Sequence, residues 1–123
     1  MDNRTLVLIG HGAEEDAQAL YLQFAEEVKE SWPDTWLVML HREPSAETVI
    51  AALQEKGVRR VLLLPLLLAP GSHLHKDVIA PEGKIRTAFS ASGIETEVVG
   101  QALLSSERVR QALKEHCLSC LCE

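Results

Sequence analysis

Apolar and polar positions change period several times along this chain, and each change marks an element. Thr5 to Ile9 is an apolar run closed by Gly10, which predicts a strand buried on both faces. From Glu14 to Glu30 apolar residues recur at Ala17, Leu20, Tyr21, Phe24 and Val28. Steps of three and four predict a helix with one buried face. Glu14, Glu15 and Asp16 suit the positive end of its dipole, and Pro33 with Asp34 stops it. Trp36 to Leu40 is a second short strand. Ser45 to Lys56 predicts a second helix, with Ala46, Val49, Ile50 and Leu53 on one face and Gly57 just past its end. Val58 to Leu68 is a third strand, apolar almost throughout from Val61. Pro65 removes a ladder donor, so a bulge or an early end is expected there. Pro81 to Ser92 predicts a third helix with Pro81 in its first turn. Ile94 to Val99 is a fourth strand, and Glu107 to His116 a closing helix.

Strand and helix alternate strictly, without a linker or repeat. The order predicts an α/β fold of three layers, α/β/α, around a four-stranded parallel sheet. Right-handed crossovers in a sheet this small suggest the strand order 2-1-3-4. Residues 1–116 form one domain in this reading, and 117–123 a cysteine-containing C-terminal tail. Ligands of such folds bind beyond the carboxyl ends of the strands.

Charge and composition narrow the partners. The 123 residues carry a formal net charge of -6, which argues against nucleic acid, since phosphate binding needs a basic surface. The segment RTLVLI is too short for a signal-peptide core, and the apolar run 61–69 is too short to cross a bilayer. A cytoplasmic protein with no membrane partner is expected. The three cysteines, Cys117, Cys120 and Cys122, crowd into the tail, which is not a disulfide framework. CLSCLC offers three of the four ligands of a soft-metal or iron–sulfur site, but frayed, reduced thiols are the favoured reading.

The candidate chemistry lies in the histidines. His11 follows the first strand, His41 the second, and His73 and His75 the third, so four of the five sit at strand carboxyl ends. His41 belongs to the outer strand and is expected further out on that edge than His11 and His73. Alternation places His75 opposite His73, towards solvent. His116 is expected to interact with the dipole at the end of the last helix. Imidazole is a common ligand of divalent transition metals and a base near neutral pH. Three strand ends that each supply one favour a metal or proton-transfer site. Other motifs fail: Gly10 replaces the arginine of an RHG phosphatase motif, and IGHGAEED lacks the glycine spacing of a dinucleotide loop.

GHG after the first strand, HREPS after the second and LLLPLLLAPGSHLHKDV after the third together resemble the class II tetrapyrrole chelatases. Within them the chain looks most like the short sirohydrochlorin cobaltochelatases of anaerobic cobalamin synthesis. The most specific piece is an apolar strand with a proline followed by Gly-x-His-x-x-x-Asp, here Gly71, His73 and Asp77. GQALLSSERVRQAL is similar to the family's last strand-to-helix join. The resemblance implies one half of the two-domain fold of longer members and insertion of a divalent metal into sirohydrochlorin. His11 and His73 take the places of the catalytic histidines, which bind the metal and accept pyrrole protons. Longer members have a glutamate ligand three residues before the proline of the second-strand loop. His41 stands there, and Glu43 lies nearby, so the third ligand is His41 or Glu43. The metal would be cobalt, with nickel or ferrous iron as alternatives, and no cofactor beyond this substrate metal is implied. Short members act as homodimers, and Leu66 to Pro70 would line the shared cleft. Arg42 and Lys76, beside the candidate ligands, would pair with substrate carboxylates or else be solvated surface cations. Asp77 would orient His73 or His75 or else begin the turn before Pro81. A metal- or tetrapyrrole-binding protein that performs no insertion is the alternative function.

Overall fold

The computed structural model describes residues 4–69, 77–100 and 102–122. Four parallel strands, β1 (Thr5–Gly10), β2 (Thr35–Met39), β3 (Arg60–Pro65) and β4 (Glu95–Val98), form one sheet in the order β2-β1-β3-β4. This is the expected architecture and strand order. The helices are α1 (Glu15–Ser31), α2 (Ala46–Glu55), α3 (Lys84–Ala91) and α4 (Glu107–Leu121), with a 3-10 turn at Leu103–Ser105 before α4.

Residues on the two sides of the sheet build two separate cores. Val7, Ile9, Val38, Val61 and Leu63 pack with Val49, Ile50 and Leu53 of α2 and Ile85 and Phe89 of α3. Leu8, Leu37 and Met39 pack with Tyr21, Ala25 and Val28 of α1. The central strands β1 and β3 are therefore apolar on both faces, as a parallel sheet covered on both sides requires. Buried polar side chains among the described residues are Thr5 and Thr35 alone, so the interior is nearly all aliphatic. β4 is the opposite case. Its Glu95 and Glu97 point to solvent, and charges on an exposed edge discourage pairing with a further strand.

Three sequence expectations need correction, and a fourth, the bulge or early end at Pro65, is decided in favour of the early end. The buried face of α1 is Tyr21, Ala25 and Val28, while Leu20 and Phe24 are exposed at 67% and 43%. At about 100° per residue the apolar stripe is broader than the sheet can cover, and Leu20 and Phe24 fall on its outer side. β3 is shorter than 58–68 and ends at Pro65, the early stop that a residue without an N–H imposes. α3 begins at Lys84 rather than Pro81. Gly83 N donates to Ala80 O (2.9 Å), so Pro81 and Glu82 make a turn, and Gly83 caps the helix instead. α4 continues to Leu121, so His116 lies within the helix rather than at its end, and Cys117 and Cys120 are helical rather than frayed. Nothing between His116 and Leu121 breaks a helix: there is neither proline nor glycine.

Candidate active site at the carboxyl edge of the sheet

The β1–β2 register pairs Gly10 with Met39, and the ladder runs one step past the strands, where Leu40 N donates to Gly10 O at 3.1 Å. That step brings the next residues together. The His11 and His41 ring centroids are 5.0 Å apart with planes at 76°, an edge-to-face pair. His41 is thus in contact with His11, closer than strand order alone implied. Both rings are exposed.

The glycines around His11 allow this crowding without any unusual backbone. A Cβ on Gly10 would stand 2.8 Å from Tyr21 Cδ1 and 2.9 Å from Met39 Sδ, and one on Gly12 would stand 2.7 Å from Ala17 Cβ. The GHG sequence is therefore a requirement of close packing between β1, α1 and β2.

Arg42 braces the same corner. Its Nε donates to Gln18 Oε1 (3.0 Å) and its Nη1 to Ala13 O (3.0 Å), while Gln18 Nε2 donates to Glu43 O (2.6 Å). The loop after β2 is so tied to the start of α1, and the two histidine-bearing loops are held in register. Glu43 is engaged in the other direction. Its Oε1 accepts from Thr48 Oγ1 (2.7 Å) and from Ser45 N (3.2 Å), at the N-terminus of α2. The Thr48 hydroxyl, then the Ser45 amide, hold the Glu43 carboxyl below its ordinary value.

Two cavities flank the histidine pair. On the α1 side is an open groove of about 460 Å³ lined by His11, Ala17, Leu20, Tyr21, Phe24, Leu66 and Leu103. Its walls are almost wholly apolar. Beyond Pro65 the chain is pinned on both sides: Leu66 N donates to Ile9 O, and Leu67 O accepts from Leu103 N. This fixes Leu66 and Leu103 as the floor of the groove. On the other side is a smaller pocket of about 240 Å³, where His41 lines a wall with Ser45, Glu47, Asp77 and Lys84.

His73, His75 and Lys76 lie outside the described residues. Of the proposed ligands, His11 and His41 come together, and Glu43 faces α2. Among the described residues no group of three His, Cys, Asp or Glu side chains is arranged to hold a metal ion. The apolar wall made by Leu20 and Phe24 was missed by the sequence reading, which had assigned both to the core; two stripes on one helix are the signal that was there.

Residues 1–121 match the protein family described as cobalt chelatase (CbiK). The chain belongs to the cobalt chelatase family. It is 29% identical over 112 residues to a sirohydrochlorin cobaltochelatase of Sulfolobus acidocaldarius, covering 89% of this chain and 86% of that protein. It is 32% identical over 77 residues to a sirohydrochlorin cobaltochelatase of Methanocaldococcus jannaschii, covering 59% of this chain and 54% of that one. A crystal structure of a cobalamin (vitamin B12) biosynthesis CbiX protein from Marinobacter aquaeolei has the same fold, with a TM-score of 0.82 at 24% identity over 96% of this chain and 97% of that one. In this cobalt chelatase no helix among the described residues is long and apolar enough to cross a membrane.

Proposed function

We propose that the chain inserts a divalent metal, cobalt in the first place, into sirohydrochlorin on the route to cobalamin. The observation that carries this reading is the His11–His41 pair, 5.0 Å between centroids, at the rim of an apolar groove. Two imidazoles bound to one ion through nitrogens at about 2.0–2.1 Å have centroids roughly 5 Å apart when they occupy neighbouring positions. The spacing therefore suits two ligands of one incoming cation. Apolar walls suit the flat face of a macrocycle, and about 460 Å³ lies within the usual range of small-molecule sites.

Metal insertion asks for three things: partial dehydration of the ion, removal of two N–H protons and a macrocycle bent towards the ion. His11 and His41 replace water on the cation. His11, which lines the groove, and His73 accept the pyrrole protons. A base working near its pKa contributes about 100- to 10,000-fold. Support for His41 over Glu43 as third ligand comes from their partners: His41 faces His11, and Glu43 is occupied at the start of α2. Arg42 is chiefly a brace for the loops in this reading, leaving Lys76 as the remaining candidate for substrate carboxylates. Nickel or ferrous iron would fit the same imidazoles, and the working compartment is the cytoplasm.

The groove is one wall of a site. Leu20, Phe24 and Leu68, exposed at 67%, 43% and 56%, leave an apolar face beside it that a second copy would cover. A homodimer would enclose the macrocycle between two such faces. The test is turnover. Pure protein with sirohydrochlorin and cobalt should change the absorption spectrum faster than the uncatalysed mixture. Tight binding of both without acceleration would make the protein a carrier and reject the reaction.

A further inference from the structure

The second half of α4 is open to solvent along its described residues. Every residue from Lys114 to Cys122 is exposed, Leu121 at 81%. Val109 and Leu113 are the half-buried positions of this helix, and steps of three and four carry their stripe on to His116, Cys117, Cys120 and Leu121. On that stripe His116 Nε2 and Cys120 Sγ lie 3.7 Å apart, one turn from each other. A tetrahedral zinc site with nitrogen at about 2.0–2.1 Å and sulfur at about 2.3 Å holds the two atoms roughly 3.6 Å apart. The pair is already spaced as two ligands of one ion. Among the described residues no third His, Cys, Asp or Glu completes it, yet such an ion takes four ligands.

We propose that His116 and Cys120 are half of an intermolecular two-histidine, two-cysteine site, completed by the same pair of a second copy, for a borderline divalent cation such as zinc or cobalt. A thiolate and an imidazole are the ligands that such cations prefer, and a second identical helix supplies the missing two in the right ratio. Pairing the helices also covers Leu121, which is 81% exposed in the single chain. On coordination Cys120 gives its Sγ proton to solvent and binds as thiolate, and His116 binds as neutral imidazole; no oxidation or reduction occurs. The site stands apart from the proposed reaction, since the groove at His11 has no thiol among its lining residues.

Cobalt(II) added to fully reduced protein under nitrogen should produce thiolate-to-cobalt charge-transfer bands, which the histidine site at the groove cannot give, with an intensity of one thiolate-bound ion per two chains. His116→Ala and Cys120→Ala should each abolish these bands, while Cys117→Ala and Cys122→Ala leave them. All four side chains are exposed, so helical content by circular dichroism should be unchanged. Absence of thiolate bands in the unaltered protein would reduce the pair to a local S–H···N contact and overturn the proposal. Bands that survive Cys120→Ala, need Cys117, or reach the intensity of one thiolate-bound ion per chain would overturn it equally.

Discussion

His41 and Glu43 are two residues apart, but their side chains serve different neighbours. His41 meets the His11 ring, whereas Glu43 accepts from Thr48 and Ser45. Metal titrations of His41→Ala and Glu43→Ala should therefore separate them. The first should weaken cobalt binding, with the larger loss of activity at low cobalt, and His41→Glu should retain activity because a carboxylate takes the same role. An unchanged cobalt affinity in His41→Ala, with a clear loss in Glu43→Ala, would reverse the assignment. His11→Ala and His73→Ala should each remove most chelatase activity, and His75→Ala should be mild by comparison. The glycines make a second test. At Gly10 an added methyl meets the near side of the Tyr21 ring and the sulfur of buried Met39, side-chain atoms that a rotation of either side chain can shift. At Gly12 it meets Ala17 Cβ, which moves only with the helix backbone. Overpacking of this kind costs about 1–3 kcal/mol. Gly12→Ala should lie at the upper end and Gly10→Ala at the lower, read from denaturant midpoints. The reverse order would mean that α1 yields more easily than the Tyr21 ring.

At the scale of elements, the alternation of strand and helix was legible because each strand is a short apolar run and each crossover helix has its own stripe. The order 2-1-3-4 followed from handedness and the small sheet. What sequence did not disclose was how far each stripe is used. α1 has an apolar stripe wide enough for the sheet and a groove at once, and periodicity cannot say which part meets which. Contact between His11 and His41 was equally hidden, since it depends on the one-residue offset of the β1–β2 ladder. α2 was read almost to the residue because Ser45 caps it through Thr48 N and Gly57 adopts φ 74° beyond its end. Glu43 adds an acid-sensitive component to that start. Its carboxyl is held below the ordinary 4.5 by the Thr48 hydroxyl and the Ser45 amide. A carboxyl lowered in the folded state stabilises fully above its unfolded value, and that contribution is lost as pH falls through the lower folded value. Thermal unfolding of Glu43→Gln should therefore converge with that of the unaltered protein as pH falls below 4.5. A difference that stays constant across that range would remove Glu43 from the acid response.

For the whole molecule, the question is what closes the groove. Small-molecule sites commonly bury about 70–90% of their ligand, and a wall open along one side cannot do that for a large flat macrocycle. Leu20 at 67% and Phe24 at 43% exposure line this wall, and neither supports the cores on the sheet. Large apolar side chains left exposed beside an exposed histidine pair mark a surface that something else covers. If that something is a second copy, the unaltered protein should sediment at twice the chain mass at micromolar concentration. In metal-free buffer, where no ion bridges His116 and Cys120 of two chains, Phe24→Asp should then shift it to monomer, and with metal supplied it should lose most chelatase activity. Its thermal midpoint, once dissociation is allowed for by varying concentration, should change little, because Phe24 is 43% exposed and belongs to neither buried cluster. Leu22→Asp is the control: Leu22 is also exposed on α1, at 42%, but lines a different cavity with Pro44 and Val49, so mass and activity should hold. A protein that stays fully active when diluted to monomer would show that one wall suffices, and the groove would then have to close around its substrate with residues of its own chain.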